Sequence, residues 1–506
     1  MRALLPLLGL LSALLVPLAP AAVAAPSVAP VAPVAPVAPV APVAPAAPAV
    51  AAAGAGDPAR SEVSFASADG TVLHGVVLAP PAPSGTGGPG LVMVGGAGPG
   101  TVTDLEDAAA AYARRGVTTL VYDKRTAGYS TTRRDYGKLA DDALAAVAAL
   151  RSRPGVQPSR VGLWGLSEGA WVASLAAARS DDVSFLVTAG AVGLTPARQQ
   201  AWAYGGYLRH AGVAGSLLPT MQVTAIRQLV GAGLFPEADY DPVPAWEGVR
   251  QPVLAEWGAL DREAAPEESA AIIRQALDRG GNTHYTFRTV PGVRHNLQLT
   301  RADGFDRPEA LPDDYAVHET AWIAGLATGL PTVSVDPPPH QDAWSRPLAP
   351  LAWYESVPLQ ATAVAVILAG QLGYLLGGAV RRIRRRPVRS GPPVRSSPPV
   401  RTGLPRAARG AALAGSAATV GALGYLLFLA VTAAQFTGPV LFGRPVVWAA
   451  LQLCAVFAVG ASGLAAVGGL RGHRALSSGC RARLGLLLLS SAVFVPWAGY
   501  WGLLLP

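Results

Sequence analysis

The sequence predicts an α/β domain built on a mostly parallel sheet, followed by a region of four transmembrane helices. Between residues 61 and 329, short runs of β-branched residues alternate with Ala-rich amphipathic runs. That order is expected when helices cover both faces of a parallel sheet. A Gly-x-Ser-x-Gly motif directly follows one of the predicted strands. Beyond residue 357, four apolar segments are each long enough to cross a bilayer about 30 Å thick.

The N-terminal 60 residues are expected to export the chain and to tether it. Residues 1–25 contain an early Arg2, a Leu-rich apolar run and small residues near position 25, which is typical of a cleaved secretory signal peptide. An uncleaved anchor is the alternative, but prolines interrupt the run and it is short for a membrane span. In residues 26–60, an Ala-Pro-Val repeat places a proline at every third position, which forbids a helix and favours an extended polyproline tether.

Residues 61–329 carry the predicted sheet. The first two strands form a hairpin at Asp69-Gly70, and alternation of strands and helices follows. Residues 193–247 interrupt that alternation and are expected to form a helical lid, whereas residues 330–357 are expected to be a linker. The predicted strands are EVSFAS, TVLHGVVLA, LVMVGG, VTTLVYD, RVGLWG, VSFLVTAG, PVLAEWG and HYTFRTV. The main helices are expected near residues 104–115, 138–151, 168–178, 265–277 and 315–327.

The C-terminal third predicts a multi-pass membrane region. Ten arginines lie in residues 381–409 and four lie between the third and fourth apolar segments, whereas only Arg444 lies between the second and third. Arg-rich loops stay in the cytoplasm, so the α/β domain and the C-terminus are expected outside the cell membrane. A signal peptide would export the domain to the same side. The transmembrane helices are expected at residues 358–380, 410–434, 446–470 and 484–505.

Charge and cysteine content exclude several classes of function. The formal net charge is +8, but the region after residue 380 accounts for it, with fifteen Arg and no Asp, Glu or Lys. The α/β region is acidic overall, so nucleic acid is not an expected partner. Both cysteines, Cys454 and Cys480, lie in the membrane region. The α/β domain therefore has no disulfide, thiolate nucleophile or cysteine-based metal site, and we expect neither a metal nor a cofactor.

The motif GLSEG at residues 165–169 predicts a nucleophile. In a chain with 57 glycines the motif can occur by chance, so its surroundings decide its meaning. RVGLW before it has the composition of a strand, and EGAWVASLAAA after it that of a helix. A nucleophilic serine of this kind requires such a sharp strand-to-helix turn. A seryl hydroxyl is a poor nucleophile without a base, so Ser167 needs a histidine that an acid holds in place.

The base and the acid are sought in the chain order Ser, then Asp or Glu, then His. His295 lies in the loop PGVRHN after the last strand, where a general base is expected. The acid should follow the preceding strand, and WGALDRE offers Asp261 there, with Glu263 as the fallback. Each residue alone is more often structural. Three of them in order, each just past the carboxyl end of a predicted strand, favour a catalytic triad.

Backbone amides must hold the oxyanion of an acyl-transfer reaction. The residue after the nucleophile, Glu168, is expected to supply one N–H. The loop VGGAGPG after the third strand is expected to supply the other, from Ala97 or alternatively from Gly98. A loop of this composition can also be a tight turn or a phosphate cradle. No G-x-G-x-x-G fingerprint or Lys-Ser/Thr pair completes a nucleotide site here.

Together these motifs resemble those of the α/β-hydrolases, particularly the bacterial esterase and serine-aminopeptidase-like branch related to dienelactone hydrolase. The resemblance rests on GLSEG, GGAGPG, YDKRTAGYS, GALD and PGVRHN, and it covers slightly over half of the chain. It implies the α/β-hydrolase fold, with Ser167, Asp261 and His295 as the triad. Gly95 replaces a histidine that is usual before the oxyanion glycine, and Thr-Ala replaces a usual glycine after the arginine of YDKR. Neither departure removes a catalytic group.

Charged residues near the motifs have two interpretations each. Glu168 lies in the first turn of the predicted helix, where a carboxylate stabilises the partial positive charge of a helix N-terminus. A contact with substrate is the alternative. Asp123, Lys124 and Arg125 are expected to fix their loop through ion pairs rather than to bind an anionic group of the substrate.

The lid segment offers candidates for substrate binding. Trp202, Tyr204 and Tyr207 occur in AWAYGGYLRHAG, where they could line an acyl pocket. Aromatic residues at near-helical spacing more often form the core of a lid.

The sequence thus predicts a membrane-anchored, extracytoplasmic serine hydrolase whose default substrate is a small-molecule carboxylic ester. A thioester or a peptide would use the same triad. Two other classes stay open. One is a non-catalytic membrane protein that uses the fold for binding. The other is a transport or lipid-handling role for the helices, which is disfavoured because their interiors lack Asp, Glu and Lys. Whether the chain forms a homo-oligomer does not follow from the sequence.

Overall fold

The computed structural model describes residues 56–81, 87–384, 404–472, 474 and 476–506. The predicted signal peptide, most of the predicted tether and most of the first Arg-rich loop lie outside these residues. The strands of the main sheet are β1 (Ala59–Ala66), β2 (Val72–Ala79), β3 (Gly88–Val94), β4 (Thr118–Tyr122), β5 (Val156–Leu166), β6 (Leu186–Ala189), β7 (Val253–Gly258), β8 (Tyr285–Val290) and β9 (Ser334–Val335).

The sheet has the order β1-β2-β4-β3-β5-β6-β7-β8-β9. The pairs β1/β2 and β2/β4 are antiparallel, and every other neighbouring pair is parallel. The prediction of an initial hairpin followed by a mostly parallel sheet is therefore confirmed. Central strands such as β6 and β7 are buried along their whole length, because helices cover both faces, and this explains their largely apolar sequences, in which Thr188 and Glu256 are the polar exceptions.

The helices that surround the sheet follow the predicted order. They are α1 (Glu106–Ala113), α2 (Tyr136–Arg151), α3 (Glu168–Arg179), α4 (Pro196–His210), α5 (Leu217–Pro219), α6 (Ile226–Gly231), α7 (Val243–Gly248), α8 (Pro266–Arg279) and α9 (Val317–Gly325), with a π-helical turn at Thr220–Ala225 and a 3₁₀ turn at Val102–Asp104. One face of the sheet packs against α2, α3 and α8 around Trp171 and Trp246. The other face packs against α1 and α9 around Tyr112 and Ile323.

Four long helices follow, and each is long and apolar enough to cross a membrane. After a 3₁₀ turn at Trp353–Glu355 they are α10 (Val357–Arg384), α11 (Leu404–Val431), α12 (Val446–Arg471) and α13 (Ser478–Tyr500), with a small hairpin of β10 (Val440–Leu441) and β11 (Arg444–Pro445) between α11 and α12. Their outer surfaces expose large apolar side chains, among them Leu413, Leu453 and Phe457. Such surfaces suit a lipid environment, and the helices indicate an association with a membrane.

The lid between β6 and β7 packs directly on these four helices. Lid residues Leu208 and Met221 share one buried apolar cluster with Trp448 and Phe494 of the long helices. Hydrogen bonds cross the same interface. The Ser216 hydroxyl donates to the Gly502 carbonyl at 2.7 Å, and the side-chain amide of Gln452 donates to the Ser216 hydroxyl oxygen at 3.0 Å. The lid and the long helices therefore share a core.

The predicted linker at residues 330–357 is packed against the α/β domain. It contributes β9, which pairs in parallel with β8 and extends the sheet by one strand. Further along, the Ser345 amide donates to Glu268 at 2.8 Å, and Glu355 forms an ion pair with Arg227 of the lid at 2.5 Å. The expectation of a simple linker is therefore corrected. Its backbone finds partners on the sheet edge and on the lid, which satisfies hydrogen bonds that an extended segment would leave to water.

Candidate active site

Ser167 lies alone between the last residue of β5 and the first residue of α3. Its backbone has φ 53° and ψ −113°. For any residue other than glycine, such a conformation carries a strain energy of about 1–3 kcal/mol. The fold maintains it through hydrogen bonds on both sides. The Ser167 N–H donates to the Ala189 carbonyl at 3.0 Å, and the Ala170 N–H donates to the Ser167 carbonyl at 2.9 Å. Strain of this kind is characteristic of functional sites.

The two glycines of the motif clear space around this turn. A Cβ on Gly165 would lie 2.3 Å from the carbonyl oxygen of Gly169. A Cβ on Gly169 would lie 2.2 Å from the carbonyl oxygen of Val94. Both distances are too short for any side chain, so the spacing Gly-x-Ser-x-Gly follows from the close approach of β3, β5 and α3.

Asp261 and His295 form a buried pair at the ends of β7 and β8. The Asp261 Oδ2 atom lies 2.9 Å from His295 Nδ1, and the two residues are 1% and 6% exposed. The other carboxylate oxygen accepts the backbone N–H groups of Glu263 and Ala264 at 2.8 and 2.9 Å. These amides fix the carboxylate and leave Oδ2 for the ring. Glu263, the fallback acid, pairs with Arg307 at 2.7 Å instead.

The environment of this pair favours a basic imidazole. Burial of the His295 ring opposes protonation, but the charge and hydrogen bond of Asp261 outweigh it, so the pKa of His295 lies above its ordinary value. Burial would raise the pKa of Asp261, but His295 and the two amides hold it below its usual range. Among the described residues, the buried His295 Nε2 atom has no hydrogen-bond partner. A general base uses this nitrogen when its Nδ1 faces an acid.

A segment at the end of β6 connects Ser167 with His295. Ala189 accepts the Ser167 N–H, and the next residue, Gly190, lies against the imidazole. A Cβ on Gly190 would lie 2.7 Å from both Cε1 and Nδ1 of His295, and Gly190 has φ 58°. Sequence reasoning did not single out Gly190. The available signal was a glycine at the carboxyl end of a buried parallel strand, where a close approach is common.

The loop after β3 passes beside Ser167. A Cβ built on Gly96 would lie 3.7 Å from Ser167 Cβ. The Gly98 N–H, which the sequence offered as an alternative donor, already donates to the Tyr129 hydroxyl at 2.9 Å. The Ala97 N–H has no partner within the described part of the chain, and the Glu168 N–H, at the first position of α3, has no carbonyl within its helix to bond. Ala97 and Glu168 thus offer two free amides.

The Glu168 side chain is buried in a cationic cluster that supports this loop. Its Oε1 accepts the Tyr129 hydroxyl at 2.7 Å and Lys124 Nζ at 3.0 Å, and its Oε2 lies 2.9 Å from Arg134. Lys124 also donates to the Gly96 carbonyl. Burial lowers the pKa of Lys124, and the Glu168 charge opposes that shift. The Glu168 side chain therefore supports the loop after β3 through Lys124 and Tyr129, and its position in the first turn of α3 agrees with the helix-N-terminus interpretation.

The neighbouring charged residues fix the loop after β4, as expected from the sequence. Arg125 is buried and pairs with Asp142 at 2.6 Å and with Asp69 at 2.8 Å. The Asp123 carboxylate accepts the Val102 N–H at 2.8 Å. Tyr129 and Arg134 were missed by sequence reasoning, because only the tertiary structure brings them to the residue after the nucleophile.

The lid aromatics are engaged in packing. The Trp202 indole donates to the Ala343 carbonyl at 2.5 Å, and the Tyr204 hydroxyl donates to the Ala430 carbonyl of α11 at 3.0 Å. The Tyr207 hydroxyl donates to Glu263 at 3.1 Å. All three side chains are buried, and these contacts correspond to the lid-core alternative rather than to an acyl pocket.

A cavity of about 620 Å³ lies beside the loop after β3. It is lined by residues 94–101, by Leu166 just before Ser167, and by Arg294 and Asn296 on either side of His295. Its lining also includes Arg307, Glu309 and Leu311. The cavity is large enough for a small-molecule ligand.

Comparisons with known proteins give one family and several distant relatives. Residues 109–327 match the model of the prolyl oligopeptidase family. Polyketide transferase ATR5 of Stachybotrys chlorohalonatus is 38% identical over 136 residues, which are 26% of this chain and 44% of that protein. Thiohydrolase apmlB of Arthrinium phaeospermum is 33% identical over 130 residues, 25% of this chain and 41% of that protein. The chain thus spans less than half the length of these relatives.

Among solved structures, the alpha/beta hydrolase GrgF from a Penicillium species superposes with a TM-score of 0.34 at 21% identity, over 47% of this chain and 91% of GrgF. The complex of DcsB with its substrate analogue superposes with a TM-score of 0.37 at 20% identity, over 52% of this chain and 98% of DcsB.

Proposed function

We propose that the domain from β1 to β9 is an α/β-hydrolase and that the protein is a membrane-anchored serine hydrolase; the match of residues 109–327 to the prolyl oligopeptidase family and the mostly parallel sheet support this. One observation carries the proposal. The Asp261–His295 pair lies against Gly190, the neighbouring Ala189 accepts the Ser167 N–H, and His295 Nε2 has no hydrogen-bond partner within the described residues. A serine, a base and an acid in these positions form a nucleophile activated by proton transfer.

The proposed reaction has two halves. His295 Nε2 takes the proton from the Ser167 hydroxyl as its oxygen attacks the carbonyl carbon of the substrate. The N–H groups of Ala97 and Glu168 hold the resulting oxyanion, and Asp261 stabilises the imidazolium. His295 then gives its proton to the departing alkoxide, and an acyl-enzyme forms on Ser167. In the second half, His295 deprotonates water, the hydroxide attacks the acyl carbon, and the carboxylic acid leaves as the proton returns to Ser167.

A carboxylic ester is the proposed substrate class. The cavity combines the apolar Leu166 with the charged Arg294 and Arg307, which suits a small acyl compound with a polar group. A thioester is the second candidate, because two of the curated relatives are named thiohydrolases. The family match raises a peptide bond as the third. All three use the same acyl-enzyme chemistry.

Activity labelling tests the proposal most directly. The full chain in detergent is treated with a fluorophosphonate, which labels activated serines. We expect labelling of the wild type and none of Ser167→Ala. Ser334→Ala, an exposed serine of β9, is the matched control and should label like the wild type. An unlabelled wild type, or equal labelling of Ser167→Ala, would favour a non-catalytic binding domain.

A substrate panel then distinguishes the candidate classes. Esters of graded acyl length, acyl thioesters and peptidyl anilides are compared on the same full-length preparation, with Ser167→Ala as the background. The full chain is needed because the lid shares its core with the long helices. We expect the highest kcat/KM on an ester. Faster turnover of the thioesters or anilides would reassign the substrate class and leave the triad intact.

The proposed location is the outer face of the cell membrane. The supporting features are the arginines between α10 and α11 and between α12 and α13, together with the signal peptide that the sequence predicts. Protease accessibility in spheroplasts tests it. Cleavage of the α/β domain from outside is expected, and protection of the domain would reverse the topology.

A further inference from the structure

A second cavity lies between the Arg-rich ends of the long helices, far in sequence from the site described above. Its volume is about 810 Å³. Three arginines line it, each from a different helix: Arg381 of α10, Arg409 of α11 and Arg483 of α13. Its other walls are largely apolar, with Leu375 and Leu484 among them. The combination of converging positive charge and apolar walls needs an explanation.

Arg483 is held in the cavity by features of α10. It donates to the Tyr374 carbonyl, and its guanidinium lies 4.8 Å from the centroid of the Tyr374 ring. The side chain crosses two glycines. A Cβ on Gly377 would lie 2.8 Å from Arg483 Nε, and one on Gly378 would lie 3.3 Å from Nη2. The Nε atom of Arg483 is buried and has no hydrogen-bond partner among the described residues.

Arg381 is oriented towards α13 in a similar way. Its Nη1 donates to the Cys480 sulfur at 2.9 Å. A Cβ on Gly479 would lie 3.0 Å from Nη2 of Arg381, so this glycine leaves room for the guanidinium. Glycines on α10 and α13 therefore accommodate the two half-buried arginines.

These charges have no acidic partner among the residues that the structure describes. Glu355 is the last acidic residue of the sequence, and it pairs with Arg227 of the lid. None of the three cavity arginines forms an ion pair within the described residues. Three arginines that converge beside apolar walls without an acidic partner favour the binding of an anion from outside the chain.

We propose that this cavity binds the phosphate of an anionic phospholipid headgroup. Guanidinium groups bind phosphate strongly through charge-assisted hydrogen bonds, and basic pockets between transmembrane helices are suited to anionic headgroups. The apolar walls provide a surface for acyl chains, which a free phosphate ion would not use. The site is independent of Ser167 and does not rest on the proposed hydrolase activity.

Membrane topology alone does not account for the arrangement. A positive-inside signal requires only that arginines lie near the ends of the helices. Arg406 of α11 and Arg481 of α13 meet that requirement, since both are exposed and neither lines the cavity. They are therefore matched controls for Arg409 and Arg483 on the same helices.

The test measures lipid binding to the full chain. The protein is delipidated in detergent and titrated with dioleoyl phosphatidylglycerol or dioleoyl phosphatidylcholine, and bound lipid is counted by native mass spectrometry. We expect phosphatidylglycerol to bind more tightly. Arg381→Gln, Arg409→Gln and Arg483→Gln should each weaken its binding about fivefold, as expected for the loss of one arginine near a headgroup.

Two sets of controls separate a lipid headgroup from free phosphate and show whether a weaker affinity results from misfolding. Arg406→Gln and Arg481→Gln should change binding less than about twofold. Because Arg409 is exposed, Arg409→Gln tests the site without disturbing packing. Inorganic phosphate should fail to displace phosphatidylglycerol. Equal binding of the two lipids, equal effects of cavity and control variants, or displacement by inorganic phosphate would each overturn the assignment.

Discussion

Replacing Glu168 with glutamine should destabilise the α/β domain far more than neutralising an exposed carboxylate. The Glu168 side chain is 1% exposed, and its partners Lys124 and Arg134 are 7% and 14% exposed. The substitution leaves two buried cations without a counter-charge. Removing one partner of a buried ion pair costs about 3–5 kcal/mol. At about 2–4 °C per kcal/mol for a domain of this size, Tm should fall by roughly 6–20 °C.

The loss of stability in Glu168→Gln should also depend on pH, and it should become smaller as the pH rises. In the folded protein burial lowers the pKa of Lys124, and Glu168 opposes that shift, so Glu168→Gln lowers it further. Between the folded pKa and the unfolded value of about 10.4, the unfolded state binds more protons. The free energy of unfolding therefore rises with pH in that window. The deficit of the variant should therefore shrink as the pH rises towards the unfolded pKa of about 10.4, because Lys124 becomes neutral in the folded protein.

Thermal unfolding of the full chain in detergent, followed by tryptophan fluorescence, measures both effects. Glu247→Gln is the matched control, because Glu247 pairs with Arg279 at 2.6 Å but is 38% exposed, and such pairs contribute about 0–1 kcal/mol. If the Glu168→Gln and Glu247→Gln variants unfold at the same Tm, the assignment of Glu168 as a buried counter-charge is refuted. A large deficit that stays constant with pH would show that Lys124 is not the stranded cation.

Three further predictions concern the proposed triad and use kinetics on the best ester. Asp261→Asn should lower kcat about 10⁴-fold by favouring the wrong tautomer of His295, and a loss below about tenfold would contradict the triad. The acidic limb of kcat/KM should lie above about pH 6.5, because Asp261 raises the pKa of His295 against the effect of burial and only the neutral ring accepts a proton; a limb at or below that pH would argue against this. Gly190→Ala places a methyl group 2.7 Å from the His295 ring and should cost about 10²-fold in kcat. Gly281→Ala is the control, because Gly281 also has a positive φ but has open space around it, so that variant has the backbone strain without the clash. Equal losses of kcat in the two variants would show that the clash with His295 is not the cause.

Much of the fold is visible in the sequence because its signals are local. Central parallel strands such as β6 and β7 are buried on both faces, so they appear as apolar runs, and the helices between them have their own period. The turn at Ser167 is visible because its two flanking glycines are required within five residues of each other. The four apolar helices are visible from their length, which a bilayer dictates.

Contacts between distant segments carry no such local signal. Nothing in the sequence near Arg134 indicates that it pairs with Glu168, and a glycine at position 190 has no pattern that links it to His295. The packing of the lid on the long helices also escaped prediction. Aromatic residues at positions such as Tyr204 have the same helical spacing whether they face a substrate or another helix.

The sequence by itself therefore determined the order of strands and helices, the candidate nucleophile and the four apolar helices, since each depends on neighbours along the chain. Only the tertiary structure decided which groups surround them. In the folded chain Asp261, not Glu263, pairs with His295. The Gly98 N–H bonds to the Tyr129 hydroxyl, and three arginines from three helices line one cavity. The physical reason is that burial, counter-charge and close approach depend on residues that are far apart in sequence and meet only when the chain has folded.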